Sequence, residues 1–186
     1  MNDLIAKIEA ADIVVANATA WVEENLAGRL IGKLGGLGDQ PPLRALCAAV
    51  VAVGAWRGDR RLAGTGIRML AAHTMATWIK TSVKDRIDRT RPSLLVENAV
   101  YEARAGDSDE HDRTSFPSGH TAGVAAIATV FARSYPQARG KALAASTFMA
   151  AVQIPRRAHF VSDVVAGAMI GLVGAAIVEL VCATKN

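Results

Sequence analysis

Apolar residues recur along the chain in six helix-compatible stretches, which short polar segments separate. None of the stretches alternates apolar and polar positions or is rich in β-branched residues, as half-buried strands would be. The pattern therefore predicts an all-α fold. The stretches cover residues 4–27, 41–56, 62–80, 118–135, 141–155 and 164–183.

The last stretch, VVAGAMIGLVGAAIVELVCAT, has the composition of a membrane span. It reaches the ~20 apolar residues that a bilayer requires, and its one charge, Glu179, lies near its end. Gly167, Gly171 and Gly174 would allow a neighbouring helix to pack closely. We predict a six-helix transmembrane bundle, in which the first stretch either spans the membrane or lies in its interface. The alternative is a soluble, alanine-rich helical bundle.

The charge balance is basic, with a formal net charge of +4. Basic clusters without interleaved aromatic residues argue against nucleic-acid binding. If all the stretches span the membrane with the N-terminus inside, two basic clusters lie on the cytoplasmic side, in agreement with the positive-inside rule. The loops 81–117 and 156–163 then lie outside. The clusters are Arg57, Arg60 and Arg61, and Arg133, Arg139 and Lys141.

The start of the chain does not have the basic and then apolar order of a secretory signal peptide, because Asp3, Glu9 and Asp12 interrupt it. Insertion into the membrane would therefore have to deliver any outward-facing site. Two further segments are predicted to be irregular. Residues 28–42 are rich in glycine and predict a flexible re-entrant or surface segment, and residues 97–114 predict a mobile, solvated loop.

The first polar cluster is KDRIDRTRP, from Lys84 to Pro92. Lys84 and Arg91 are two helical turns apart on one face, and Pro92 disfavours helix at Arg91. Two cations at one helix end could bind one phosphate, Arg through its planar fork and Lys as a compact charge. The alternative is a solvated basic face paired with Asp85 and Asp88.

The second cluster is PSGH, residues 117–120. Proline favours the first turn of a helix, where free backbone N–H groups bind anions and Gly119 permits close approach. Ser118 could add a hydroxyl donor, and His120 could give a proton to a leaving oxygen. The alternative is a capped helix start beside an incidental histidine.

The third cluster is RRAHFVSD, residues 156–163. His159 and Asp163 are four residues apart, so on a helix the carboxylate could accept one imidazole N–H. That hydrogen bond would fix the tautomer and leave the other nitrogen free to attack. The alternative is a helix-start aspartate beside a solvated histidine.

Together the clusters resemble the signature of the type 2 phosphatidic acid phosphatase superfamily, in its membrane lipid phosphatase branch: K-x6-R-P, P-S-G-H and S-R-x5-H-x3-D. The first two parts match at every defined position, and the third matches at His159 and Asp163. It departs where the signature has arginine, because this chain has Gln153 there. Arg156 or Arg157 could supply the missing cation, and we favour Arg156.

The resemblance implies a metal-independent phosphatase without a cofactor, acting on a phospholipid phosphate or polyprenyl diphosphate. His159 would attack phosphorus and form a phosphohistidine, Asp163 would orient it, and His120 would protonate the leaving group. The expected phosphate ligands are Lys84, Arg91, Ser118, Gly119, Arg156 and Gln153.

The resemblance also implies where the protein acts. We expect an integral protein of a bacterial inner membrane, with the active site at the extracytoplasmic membrane surface, facing the periplasm. A single membrane phosphatase domain would cover 1–186, with an N-terminal helix and surface segment at 1–42 and a motif-bearing core at 62–183. The alternatives are a non-catalytic phospholipid-binding membrane protein, a vanadium haloperoxidase-like enzyme and a soluble acid phosphatase.

Overall fold

The computed structural model describes residues 2–23, 26–97, 100–108 and 110–184, and most of these residues are helical. The predicted all-α class is confirmed, with one small sheet added. The helices are α1 (Asn2–Ala18), α2 (Ala20–Glu23), α3 (Leu26–Gly35), α4 (Gln40–Trp56), α5 (Arg60–Lys84), α6 (Gly119–Ser134), α7 (Arg139–Ala151) and α8 (Val161–Ala183).

Helices α5, α6 and α8 form the centre of the bundle and pack through small residues. A Cβ built on Gly171 would lie 2.5 Å from the carbonyl oxygen of Ala122 in α6, and one on Gly174 would lie 2.9 Å from the amide of Ala76 in α5. A Cβ built on Gly167 would lie equally close to the carbonyl oxygen of Ser118. The predicted close packing of the three glycines is therefore confirmed, and it brings the start of α8 against the start of α6.

The two ends of the bundle differ in chemistry. At one end, Arg61 and Arg68 of α5 donate hydrogen bonds to Ser134, the last residue of α6. At the other end, the C-terminus of α5 lies near the N-termini of α6 and α8. The three polar clusters of the sequence are at this second end, which we call the site end.

A two-stranded antiparallel sheet follows α5 at the site end. Strand β1 (Ile87–Arg89) pairs with β2 (Ala103–Ala105), and the carboxylate of Asp88 accepts a hydrogen bond from the amide of Ser108 at 2.9 Å. The prediction of an irregular loop over 97–114 is therefore wrong for residues 103–105, which form β2, whereas the solvent exposure predicted for them is confirmed. Residues 98, 99 and 109 of that loop lie outside the described residues.

The N-terminal third differs from the prediction in two places. The stretch 4–27 is not one continuous helix, because α1 ends at Ala18 and α2 covers Ala20–Glu23. Residues 24 and 25 of this stretch lie outside the described residues. The segment 28–42 is regular rather than flexible. It consists of the rest of α3, a 3₁₀ turn at Gly36–Gly38 and the start of α4, whose first turn contains two prolines.

Within the described residues, α8 is the one helix that is both long and apolar enough to cross a membrane. It has 23 residues and leaves Leu172, Val173, Leu180 and Val181 exposed on its outer face. Exposed apolar side chains on the longest apolar helix suit contact with lipid. The six-helix transmembrane count remains a prediction.

Candidate active site

His159 lies in the loop before α8, and its orientation differs from the prediction. Its Nδ1 lies 2.8 Å from the carbonyl oxygen of Ser115, but 3.9 Å from Oδ2 of Asp163. The predicted direct hydrogen bond to Asp163 is therefore wrong, because α8 begins only at Val161 and the two residues do not share a helix. A carbonyl can only accept, so Nδ1 carries the proton and Nε2 retains its lone pair.

Asp163 holds His159 indirectly. It is completely buried in the first turn of α8, where Oδ2 accepts hydrogen bonds from the Ser115 hydroxyl at 2.6 Å and from the Phe160 amide at 2.8 Å. Both bonds fix segments next to His159, one through the residue whose carbonyl binds the imidazole and one through the adjacent backbone. Asp163 thus positions His159 through Ser115 and Phe160.

The surroundings of His159 favour its neutral form. Burial lowers the pKa of the imidazole well below the ordinary value of 6.5, and the charges of Arg91, His120 and Lys84 lower it further. The hydrogen bond to Ser115 acts in the opposite direction but does not outweigh the burial. At neutral pH, Nε2 is therefore an unprotonated nitrogen, which is the form that can act as a nucleophile.

A buried ionic network extends behind Asp163 to helix α1. Nη1 of Arg89 donates to Asp163 at 2.5 Å, and its Nη2 donates to Asp12 at 2.8 Å. Asp12 also accepts hydrogen bonds from the backbone amide and hydroxyl of Ser162. Burial alone would lower the pKa of Arg89, but Asp163, Asp12 and Tyr101 raise it overall. The guanidinium is therefore a permanent cation between two carboxylates.

Sequence reasoning missed Asp12, Arg89 and Ser115, which lie outside the defined positions of the three motifs. One signal was present for Asp12, because this carboxylate interrupts an apolar helical stretch. A buried acid in such a stretch requires a partner, and the partner is 77 residues away in the sequence.

The PSGH residues form the start of α6. Ser118 is the N-cap residue and is fully buried, and its hydroxyl oxygen accepts a hydrogen bond from the Thr121 hydroxyl at 3.0 Å. The amides of Gly119 and His120 donate to no protein acceptor in the described parts of the chain. Two free amides at the N-terminus of a 16-residue helix suit an anion, so Gly119 stays a predicted phosphate ligand.

His120 faces His159 across the site. Their ring centroids are 6.0 Å apart, with an angle of 64° between the ring planes. This separation allows one phosphate group to contact both imidazoles, since hydrogen-bond partners lie within ~3 Å of each nitrogen.

Cations from three segments surround the two histidines. The Arg91 guanidinium donates to the carbonyls of Ala158 at 2.9 Å and Thr114 at 3.3 Å. Ala158 precedes His159, and Thr114 precedes the residue whose carbonyl binds the imidazole. Lys84 is close enough for its charge to act on His159. Lys80, which the sequence analysis did not single out, lies one turn earlier on the same face of α5, and its aliphatic chain approaches Gly119.

The position of the motif arginine is occupied by Gln153, which is fully buried beyond the end of α7. Its Nε2 donates to the Met149 carbonyl at 3.0 Å, and its Oε1 accepts from Nη1 of Arg156 at 3.0 Å. Both ends of the amide are therefore engaged, and Gln153 holds Arg156. The guanidinium of Arg156 also packs over Gly35, where a Cβ would overlap it.

Arg157, the other alternative, has a different role. It is buried, its Nη2 donates to the Pro92 carbonyl at 2.7 Å, and its backbone is in the left-handed region with φ +54°. Arg157 thus anchors the loop that follows Arg91. Of the two neighbouring arginines, the structure brings Arg156 within electrostatic reach of His120.

At this end of a helical bundle, two imidazoles therefore face each other among a buried carboxylate, free helix amides and several cations. This arrangement has the components that phosphoryl transfer through a histidine requires. The family model of the PAP2 superfamily matches residues 65–185. The chain belongs to the PAP2 superfamily, and the family predicted from the three motifs is confirmed.

One solved structure has a similar fold over almost the whole chain. It is the crystal structure of a transmembrane PAP2-type phosphatidylglycerolphosphate phosphatase from Bacillus subtilis. The match has a TM-score of 0.69 and 18% sequence identity, and it covers 97% of this chain and 88% of that one. At this identity the similarity concerns the fold. Comparison with curated protein sequences found no match.

Proposed function

We propose that this protein is a metal-independent lipid phosphatase that hydrolyses a phospholipid phosphate or a polyprenyl diphosphate through a phosphohistidine. The observation that carries the proposal is the pair of facing imidazoles, His159 held with Nε2 unprotonated and His120 at the start of α6. Membership of the PAP2 superfamily supports a phosphatase. The Bacillus subtilis protein of similar fold is a phosphatase of a lipid phosphate, which supports the same substrate class here.

In the proposed reaction, Nε2 of His159 attacks phosphorus while the bond from phosphorus to the leaving oxygen breaks. His120 gives its proton to that oxygen. Water then attacks the phosphohistidine, His120 takes a proton from the water, and the phosphorus–nitrogen bond breaks to release phosphate. Lys84, Arg91 and the free amides at Gly119 would neutralise the phosphate oxygens, since positioning and charge stabilisation dominate this chemistry.

Arg156 would provide the cation that the family signature places at position 153. Gln153 occupies that position but carries no charge, and its carbonyl holds Arg156 at 3.0 Å. The cation would thus come from a residue three positions later in the chain. Gln153 itself would act through Arg156, without contact to the phosphate. Ser118 would contribute less than predicted, because its buried hydroxyl caps α6.

A lipid substrate is supported by an apolar cavity of about 570 Å³ between α4, α6 and α7. It begins beside the site, where Gly38 contacts both the Met149 methyl and His120, and it extends toward Lys141 near the opposite end of the bundle. A channel of this character would accommodate an acyl or prenyl chain while the phosphate stays at the site end. Its apolar lining includes Leu37, Leu43, Val50, Val124, Phe131 and Met149.

We further propose that six segments cross a bacterial inner membrane, with the site end at its periplasmic surface. The basic clusters of the sequence support this orientation. Arg61 at the start of α5 binds Ser134 at the end of α6, so the two clusters share the end that is opposite to the site. Basic residues concentrate on the cytoplasmic side of membrane proteins.

The test is phosphate release by detergent-purified protein from phosphatidic acid and from a polyprenyl diphosphate, in the presence of EDTA. We expect turnover by the wild type and none by His159→Ala. His120→Ala should accumulate an acid-labile phosphoenzyme when the leaving group needs no proton. Tight binding of phosphatidic acid without phosphate release would instead favour the phospholipid-binding alternative, and vanadate-dependent halide oxidation would favour the haloperoxidase alternative.

A further inference from the structure

Asp39 lies between the 3₁₀ turn at Gly36–Gly38 and α4, far in sequence from the three motifs. It occupies the N-cap position of α4, yet its side chain makes no capping hydrogen bond. Its Oδ1 instead lies 2.6 Å from Nε2 of His120, at ion-pair distance without the alignment of a hydrogen bond.

Gly38, the residue before Asp39, lies beside the imidazole of His120. A Cβ at this position would lie 3.4 Å from Cδ2 of His120 and 3.4 Å from Cε of Met149, so the turn packs directly against the imidazole edge. The turn and Asp39 lie before residue 65, where the match to the PAP2 family begins. The contact therefore joins the N-terminal part of this chain to the part that matches the family.

The charges that face His120 come from several segments. Arg156 precedes α8, Arg91 follows β1, and the imidazole of His159 lies across the site. These groups are cationic or neutral. Burial of the imidazole is the largest effect that disfavours its protonated form, and the charges of Arg156 and Arg91 act in the same direction. Among the described residues, Asp39 is the carboxylate that lies beside this imidazole, and its charge favours the protonated form.

We propose that Asp39 is a positioning residue for His120, which favours the protonated imidazole and orients it until the leaving group departs. The inference rests on the proposed function, in which His120 is the general acid. A general acid must carry its proton before bond cleavage, and a neighbouring carboxylate stabilises the imidazolium. Asp39 acts through His120 and does not contact the reacting atoms.

The experiment compares two substrates whose leaving groups differ in their need for a proton. The diacylglycerol alkoxide of phosphatidic acid must be protonated as it departs, whereas p-nitrophenolate leaves without a proton. The quantity compared is kcat/KM, which reports phosphoryl transfer to His159 and not the later attack of water. For Asp39→Asn we expect kcat/KM on phosphatidic acid to fall roughly 10- to 100-fold, a part of the ~10²–10⁴ that acid catalysis contributes. On p-nitrophenyl phosphate the change in kcat/KM should stay within about threefold.

Three further measurements separate positioning from a structural effect. Asp39→Asn should shift the basic limb of the pH–rate profile on phosphatidic acid to lower pH. Asp39→Glu should restore part of the rate. When His120 is already replaced by alanine, adding Asp39→Asn should cause no further loss of activity. Asp3→Asn removes an exposed carboxylate from the same third of the chain and is the matched control.

Equal losses on both substrates, or a rate on phosphatidic acid that is unchanged or higher, would overturn the inference. The proposed function has a separate readout. If His159→Ala abolishes turnover while Asp39→Asn behaves as the wild type, the role of Asp39 fails and the phosphatase assignment stands. If His159→Ala retains turnover, the phosphohistidine mechanism itself fails.

Discussion

Replacing Arg156 by glutamine tests whether this residue supplies the cation that position 153 lacks. The substitution removes one guanidinium beside the site and keeps a polar side chain. A hydrogen bond to a charged group contributes about 1.5–3 kcal/mol. Each 1.36 kcal/mol corresponds to a factor of ten, so we expect kcat/KM to fall roughly 10- to 150-fold.

The assay is phosphate release from phosphatidic acid in detergent, together with the inhibition constant of inorganic phosphate, which should rise in parallel. Arg86→Gln is the matched control, because it removes an exposed arginine near the site end, whose guanidinium donates to the backbone carbonyl of Ser82. A loss below threefold in Arg156→Gln, or an equal loss in Arg86→Gln, would refute the reasoning.

A double substitution sharpens the test. In Gln153→Arg/Arg156→Gln the charge moves to the position that the family signature prescribes, and the amide moves to position 156. Because one cation is retained beside the same site, we expect the double variant to be more active than Arg156→Gln alone. Equal activity of the two variants would mean that an arginine at position 153 does not replace the guanidinium of Arg156.

Two other predictions follow from the buried groups. Asp12→Ala should lower the free energy of unfolding by about 3 kcal/mol. This is the lower end of the range for breaking a buried ion pair, because Arg89 still pairs with Asp163. Thermal unfolding in detergent measures the loss, and a loss no larger than that of Asp3→Ala would contradict the prediction. The pH profile of kcat/KM, corrected for ionisation of the substrate phosphate, should keep its plateau as pH falls through 6.5. Burial lowers the pKa of His159, so the active neutral form is lost only below that value. An acidic limb at or above pH 6.5 would contradict this prediction. By linkage, the neutral His159 contributes stability that is present above pH 6.5 and decreases as pH falls, because the unfolded chain binds the proton first.

Most of the helices could be predicted from the sequence, and each wrong prediction has a physical reason. The bounds of α5, α6 and α8 agree with apolar periodicity to within a few residues, because each helix buries a continuous apolar or small-residue face. Residues 28–42 were predicted to be flexible because of their glycines. In the folded protein these glycines are helical or in a 3₁₀ turn, and Gly35 permits the close approach of Arg156.

The family and the identity of the principal side chains were determined by the sequence alone. The residue types that the chemistry needs, and their separation along the chain, can both be read from the sequence. The orientation of those side chains was decided only by the tertiary structure. His159 donates to Ser115 rather than to Asp163, because the helix starts two residues after it.

The contacts of the supporting charges were also decided only by the tertiary structure. Asp12 and Asp39 reach the site from the N-terminal third, and Arg156 takes its place beside Gln153 because a turn after α7 brings the two together. Such partners are selected by distance in space and by the cost of leaving a buried charge unpaired. Neither quantity is recorded in the local order of residues, so the sequence defines the reacting groups and the fold determines how they are held.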